Sequence, residues 1–95
     1  MKLLWTAPAL SDLRALRANM AKDGERAANA MIARIVDRAE RQLSRLPESV
    51  PPGRLAKARE LAIPGTPYVL PYRIIGHTVH ILRVFHSARR WPEEP

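Results

Sequence analysis

The chain has 95 residues, of which 16 are Lys or Arg and 9 are Asp or Glu, and its formal net charge is +7. It has no cysteine and no apolar run near the roughly 20 residues of a membrane span, which excludes a disulfide framework, a thiolate metal site and a spanning segment within these residues. The length predicts a single domain over residues 1–95, the absence of a signal pattern predicts a cytoplasmic location, and the positive charge favours a polyanionic partner.

The first half of the chain predicts a strand followed by two helices. Lys2–Trp5 is a short apolar run that predicts the strand, and Thr6 or Ala7 is expected to cap a first helix with Pro8 in its first turn, where proline loses no hydrogen bond. Residues 22–24 end this helix, because they include a glycine. Its apolar residues recur at helical spacing, namely Leu10, Leu13, Leu16 and Met20.

A longer apolar stripe predicts the second helix, which ends before Pro47 because proline disfavours helical geometry in the preceding residue. The connection between the helices is short, so they are expected to form an antiparallel hairpin. The stripe consists of Ala28, Ile32, Ile35, Ala39, Leu43 and Leu46. The remaining arc is expected to be a solvated face or to receive an acidic partner, and it carries Arg34, Arg38, Arg41 and Arg45.

The last third of the chain predicts strands. Residues 47–53 form a proline-rich loop, and residues 56–62 predict a strand or an extended edge. Two strands follow, over roughly 67–75 and 78–86. Gly76-His77 between them predicts a two-residue type II′ turn, which sets the register of the hairpin.

This register sorts the side chains of the hairpin onto two faces. The more apolar face is expected to lie under the helices and holds Tyr68, Leu70, Tyr72, Ile74, Val79, Ile81, Arg83 and Phe85. The other face is expected to stay open and holds Val69, Pro71, Arg73, Thr78, His80, Leu82, Val84 and His86. Arg83 then needs an acidic partner or a route to solvent. Pro71 has no N–H to donate, so it must point away from a partner strand or lie at an irregularity.

Several short segments keep a distinctive order along the chain: Trp5 with Asp12-Leu13, Gly53-Arg54, Arg59-Glu60-Leu61, Tyr68-Val69-Leu70 with Tyr72-Arg73-Ile74, and Phe85-His86. This order resembles the RelE/ParE superfamily, the toxins of bacterial type II toxin–antitoxin systems. The resemblance implies an α+β fold, in which an N-terminal strand, an antiparallel helix hairpin and a three-stranded antiparallel segment complete a small sheet. It also implies a toxin with no cofactor and no membrane partner. A cognate antitoxin would bind it through an acidic amphipathic segment, and operator DNA would be bound only through the antitoxin complex.

Two mechanisms occur in the superfamily, and the resemblance leaves both open. RelE-like members cut messenger RNA on the ribosome, whereas ParE-like members poison DNA gyrase and lack the nuclease residues. RelE-like nucleases typically carry an arginine at the position that matches Val69, and valine cannot hold a phosphate. The lysines in the second strand of these ribonucleases match Lys57 and Arg59 only loosely. The segment 85–91 resembles ParE-like tails, so a ParE-like toxin is favoured.

The basic tail supplies the candidates for target contact. Arg89, Arg90 and Trp91 offer two cations and an indole, which suit an anionic surface and a stacking or apolar contact. The alternative is a flexible basic tail without a binding role.

His86 is the candidate catalytic residue if the chain is a nuclease. Metal-free cleavage of RNA needs a base, an acid and a cation for the phosphate, and His86, His80 and Arg73 fill these roles if they share the open face. The alternative is a structural histidine at a strand end. His77 is expected to be a solvated turn residue, and the histidines lack neighbours at metal-ligand spacing, so no metal site is expected. A third hypothesis is a decayed toxin that only binds its antitoxin.

Overall fold

The computed structural model of the chain describes residues 1–45, 47–49, 52–53 and 57–88. These residues form an α+β fold in the predicted order, with two helices packed on one face of a mixed sheet. The elements are β1 (Lys2–Trp5), α1 (Ala7–Ala21), α2 (Glu25–Arg45), a 3₁₀ turn (Pro47–Ser49), β2 (Arg59–Ala62), β3 (Tyr68–Ile75), β4 (Thr78–Ile81) and β5 (Phe85–His86). None of the helices described here is apolar over the length that a bilayer span requires.

Thr6, one of the two predicted caps, begins α1. It has extended backbone angles (φ −63°, ψ 160°), and its Oγ1 accepts a hydrogen bond from the Ala9 N–H at 3.3 Å. Pro8 lies in the first turn, as expected. The chain turns between the helices at Gly24, whose φ of 155° lies in a region that glycine enters most readily. The predicted helix hairpin is confirmed, because α1 and α2 pack directly on each other.

The predicted apolar stripe of α2 faces the core. Ile32 is partly buried, and the fully buried members are Ala28, Ile35, Ala39 and Leu43. Leu46, the last predicted member, lies outside the described residues. The arginines of the opposite arc are exposed. One of them, Arg41, pairs with Asp37 across one helical turn, with 3.2 Å between Nε and Oδ2.

The sheet has the strand order β1-β4-β3-β2, and β5 pairs with β3 on the same side as β4. β1 is parallel to β4, and the other pairs are antiparallel. The strand side of the core consists of Leu61, Ile63, Leu70, Tyr72, Val79, Ile81 and Val84. Tyr72 donates its hydroxyl to the Pro47 carbonyl at 2.5 Å, and burial raises the pKa of Tyr72 to about 12.

The predicted turn and the register next to it are confirmed. Gly76 has a φ of 62°, which suits the first central position of a type II′ turn. Ile75 pairs with Thr78, and Arg73 pairs with His80, as the two-residue turn requires.

The predicted continuous strand over 78–86 is wrong, because the pairing breaks after β4. The Leu82 N–H still donates to the Pro71 carbonyl at 2.9 Å, but beyond this point Phe85 pairs with Val69. Residues 83–84 therefore lie opposite the single residue Leu70, which is the arrangement of a β-bulge. Pro71 explains the position of the break, since it has no N–H to return to Leu82.

The bulge reverses the faces of the residues that follow it. His86 pairs with Tyr68, and paired residues in antiparallel strands lie on the same face, so His86 lies on the helix side. Val84 is likewise part of the core. Phe85 pairs with Val69 and so lies on the open side. The predicted positions of these three residues, with His86 and Val84 on the open face and Phe85 under the helices, are therefore wrong.

Candidate functional site

Asp12 of α1 holds the bulge against the helix. Its Oδ2 accepts from Arg83 Nε at 2.7 Å and from the Val84 N–H at 2.9 Å, and its Oδ1 accepts from Arg83 Nη2 at 2.9 Å. The side chains of Arg83 and Asp12 are only 27% and 19% exposed. The hydrogen bonds to Asp12 raise the pKa of Arg83 above its ordinary value. The requirement that Arg83 find an acidic partner is thus met, and the guanidinium also lies 4.8 Å from the centroid of the Phe85 ring.

A groove of about 350 Å³ lies between α1 and the part of the sheet where the start of β3 pairs with β5, and we call it the α1 groove. Its helix wall repeats at the spacing of one helix face and consists of Asp12, Ala15, Leu16 and Asn19. Its strand wall consists of Tyr68, Val84 and His86. The lining mixes apolar side chains, such as Leu16 and Val84, with polar ones, such as Asn19 and His86.

His86 takes part in the α1 groove through its ring. The ring meets Tyr68 edge to face, with 5.7 Å between the centroids and an interplanar angle of 89°. The Ala88 N–H donates to His86 Nδ1 at 3.1 Å, which assigns the proton of the neutral ring to Nε2. These contacts hold the imidazole beside the helix and away from the open face of the sheet.

The open face holds the other two candidate catalytic residues. Arg73 and His80 are direct cross-strand partners, so they share this face as predicted, and His80 is also paired with Leu4 of β1. His86 does not join them, because the bulge places it on the opposite face. The predicted trio of His86, His80 and Arg73 is therefore not brought together in the structure.

Val69, where RelE-like nucleases typically carry an arginine, lies on the open face near the start of β3. It is paired with Ala62 on one side and Phe85 on the other, and it is only 6% exposed. Arg59, one of the loosely matched basic positions, donates from Nη1 to the Glu48 carbonyl at 3.0 Å. Lys57 is exposed and has a φ of 58°.

Three candidate residues, Arg89, Arg90 and Trp91, lie outside the described residues, as does Arg54. Their role in target contact stays a prediction. The described part of the chain fixes only where the tail starts. β5 ends at His86, and the Ser87 N–H donates to the Pro67 carbonyl at 2.7 Å, so the tail begins beside the α1 groove.

Asp12 is the functional residue whose role sequence reasoning missed. The signal for it was the carboxylate within the apolar stripe of α1, next to Leu13 and one turn before Leu16, where a charge has to find a partner in the fold. Within the described ranges, no group of three His, Cys, Asp or Glu residues is placed to hold a metal ion.

Comparisons with known proteins agree on one kind of protein. A family model described as the ParE toxin of the type II toxin–antitoxin system parDE matches residues 3–91. The putative toxin Y4kP of Sinorhizobium fredii is 39% identical over 92 residues, which cover 97% of this chain and 94% of that protein. Toxin RelE2 of Caulobacter vibrioides is 39% identical over 90 residues, which cover 93% and 97%. A solved structure described as the chromosomal ParDE system from P. aeruginosa superposes with a TM-score of 0.83 at 26% identity, over 90% of this chain and 95% of that chain.

Proposed function

Because the chain belongs to the ParE toxin family of type II toxin–antitoxin systems, we propose that it inhibits growth by binding and poisoning DNA gyrase, and that a cognate antitoxin neutralises it. The protein acts in this proposal as a binding module and not as an enzyme. It needs no cofactor for this role.

The observation that carries the proposal is the separation of the nuclease candidates. His86 lies in the α1 groove, whereas Arg73 and His80 lie on the other face of the sheet. A proton-transfer group and a phosphate-binding cation must reach the same phosphodiester to cleave it. Val69 adds a second argument, because a buried valine occupies the position of the arginine expected in a nuclease.

The proposed contact with gyrase uses the basic tail. Arg89, Arg90 and Trp91 follow β5 after Ser87 and Ala88 and combine positive charge with an indole. Residues of this kind are enriched where a few side chains dominate the affinity of an interface. The net charge of +7 favours approach to a complex that contains DNA.

The test measures DNA cleavage and supercoiling by purified gyrase in the presence of the toxin. We expect cleaved DNA to accumulate and supercoiling to stop with the wild-type toxin, and we expect the Arg89→Ala, Arg90→Ala, Trp91→Ala triple variant to lose both effects. The matched control is the Arg34→Ala, Arg38→Ala double variant on the exposed face of α2, which should retain them. Normal gyrase activity at saturating wild-type toxin would contradict the proposal.

A ribosome-dependent messenger RNA nuclease is the second candidate, and one observation favours it. His86 lies against Tyr68 in a groove, and an imidazole in a concave site is a common proton-transfer group. Mapping of transcript ends after induction separates the two functions. Codon-phased cuts that disappear in His86→Ala, but persist in the exposed turn variant His77→Ala, would establish the nuclease. Full toxicity of His86→Ala without such cuts would exclude it.

A further inference from the structure

The edge of the sheet formed by β1 has free backbone groups. β1 is the first strand in the sheet order, and the Thr6 N–H next to it donates to the Ile81 carbonyl of β4 at 3.1 Å. Backbone groups of successive strand residues point to opposite sides, so Leu4 also points toward β4, whereas Leu3 and Trp5 point away from it. Within the described ranges, the N–H and carbonyl groups of Leu3 and Trp5 make no hydrogen bond to another part of the chain.

This edge is complementary to itself. When a second β1 lies antiparallel to the first about a two-fold axis at Leu4, Leu3 of each copy faces Trp5 of the other. Facing residues of this kind exchange two hydrogen bonds per pair, so each free backbone group of the two edges gains a partner. The two Leu4 side chains then meet on the open face of the sheet, where each is 44% exposed in the single chain. Free strand edges are templates for pairing with another chain, and a second copy matches this one group by group.

We propose that β1 is the interface of a toxin homodimer, in which two copies pair antiparallel along this edge and join their sheets into one. The same residues contribute from both copies, so the interface is closed and adds no further subunits. β1 has 4 residues, which span about 13 Å, and the buried area is therefore below that of a stable dimer. We expect a weak dimer, with a dissociation constant between about 10 µM and 1 mM.

The net charge gives this association a distinctive salt dependence. Each copy carries +7, so the two copies repel each other, and mobile ions screen the repulsion. Dimerisation should therefore strengthen several-fold as the salt concentration rises from about 50 mM to 500 mM. An encounter with an acidic partner should weaken over the same range. A dimer that dissociates as salt is added would contradict pairing through backbone hydrogen bonds and apolar contact.

The first test uses the absence of cysteine from the chain. In the proposed register Leu4 faces Leu4, with about 4.5 Å between the Cα atoms, which is within the range of a disulfide. Oxidation of Leu4→Cys should therefore give a covalent dimer on non-reducing electrophoresis. The matched controls are Lys2→Cys and Ile75→Cys, two exposed positions on the same face. Lys2 would face Thr6 of the second copy, and Ile75 lies on β3 away from the edge. Both controls should cross-link at least about fivefold more slowly.

The second test places two like charges opposite each other. Leu4→Lys puts the ammonium groups of the two copies side by side at the two-fold axis, and like charges directly opposite in a strand pair are destabilising. Sedimentation equilibrium should show a dissociation constant raised at least about tenfold. The matched control is Ile75→Lys, which makes the same change at a 58% exposed side chain outside the interface and should change the constant less than about twofold. Thermal unfolding shows that both variants are folded.

These outcomes are independent of the proposed function, since neither assay contains gyrase or antitoxin. Selective cross-linking of Leu4→Cys together with selective loss of association in Leu4→Lys supports the inference, whichever target the toxin has. Equal cross-linking of the three cysteine variants would overturn it, because the contact would then be non-specific. Wild-type toxin that stays monomeric at about 1 mM would also overturn it and would leave the edge to a strand of another protein.

Discussion

Asp12 joins α1 to the end of the sheet through one carboxylate. Three hydrogen bonds reach it, two from the guanidinium of Arg83 and one from the Val84 N–H. Hydrogen bonds to an ionised, partly buried group are stronger than those between neutral groups, and the bidentate geometry fixes the orientation of both side chains. This carboxylate therefore stabilises both the bulge and the wall of the α1 groove.

Replacement of this carboxylate should be costly. We expect Asp12→Ala to lower the free energy of unfolding by about 2–3 kcal/mol, because Arg83 and the Val84 N–H lose a charged acceptor in a partly buried position. Urea unfolding followed by circular dichroism measures the change. The control is Asp37→Ala, which removes an exposed pair with Arg41 and should cost well under about 1 kcal/mol. Equal losses in the two variants would contradict a special role for Asp12.

Tyr72 should make stability depend on pH in alkaline solution. Burial raises its pKa from 10.0 to about 12, so between these values the unfolded chain releases the phenolic proton while the folded chain retains it. The folded state then binds more protons, and its stability falls as the pH rises through this window, with a slope that approaches about 1.4 kcal/mol per pH unit. Urea unfolding at a series of pH values from 8 to 12 measures this slope.

The variant Tyr72→Phe isolates this group. At pH values below the window it should be less stable than the wild type by about 1–2 kcal/mol, because the Pro47 carbonyl loses its donor. Above the window the difference in the free energy of unfolding between the wild type and the variant should narrow, since the variant has no phenolic proton to lose at this position. Wild-type and variant curves that stay parallel through the window would contradict the raised pKa.

At the scale of elements, Thr6 connects the start of α1 to the end of β4. Its Oγ1 lies 2.8 Å from the Ile81 carbonyl and 3.1 Å from the Leu82 carbonyl, and the same atom accepts from the Ala9 N–H. Pro71 lies opposite Leu82 and has no N–H, so it donates no hydrogen bond to the Leu82 carbonyl. The threonine hydroxyl therefore satisfies a carbonyl that the break in the sheet leaves without its ladder partner.

Loss of this hydroxyl should destabilise the protein. We expect Thr6→Val to lower the free energy of unfolding by about 1–2 kcal/mol, because it removes a helix cap and the donor to the strand end. Thr6→Ser keeps the hydroxyl and should cost less than about 0.5 kcal/mol. Thermal unfolding of both variants makes the comparison. A Thr6→Val protein as stable as Thr6→Ser would show that the hydroxyl is dispensable.

The sequence was sufficient for the elements whose cause is local. The cap at Thr6, the stripe of α2 and the turn at Gly76 each depend on residues a few positions apart, and all three were predicted. The predicted face of His86 was wrong, because its position depends on a bulge that Asp12 stabilises from 71 residues earlier in the chain. Pro71 gave the warning of an irregularity, but a missing donor does not specify which residues bulge.

At the scale of the molecule, the fold separates two surfaces of different chemistry. The α1 groove combines apolar side chains with a balanced carboxylate, whereas the open face carries the Arg73–His80 pair beside the exposed Leu4. The bulge at residues 83–84 makes this separation, since a regular strand would have placed His86 with Arg73 and His80. One irregularity in one strand therefore decides which residues can act together.

The net charge of +7 acts on association with the antitoxin over the whole surface. If the antitoxin binds through an acidic segment, we expect the association rate to fall at least about tenfold between about 50 mM and 500 mM salt, because mobile ions screen the attraction between that segment and the basic toxin. The dissociation rate should change much less, since short-range contacts determine it. Stopped-flow mixing measures both rates.

As a control, Arg26→Gln with Arg45→Gln, two exposed positions of α2, should lower the association rate at low salt and leave the dissociation rate unchanged. A salt-independent association rate would mean that the charge of the chain does not guide this encounter.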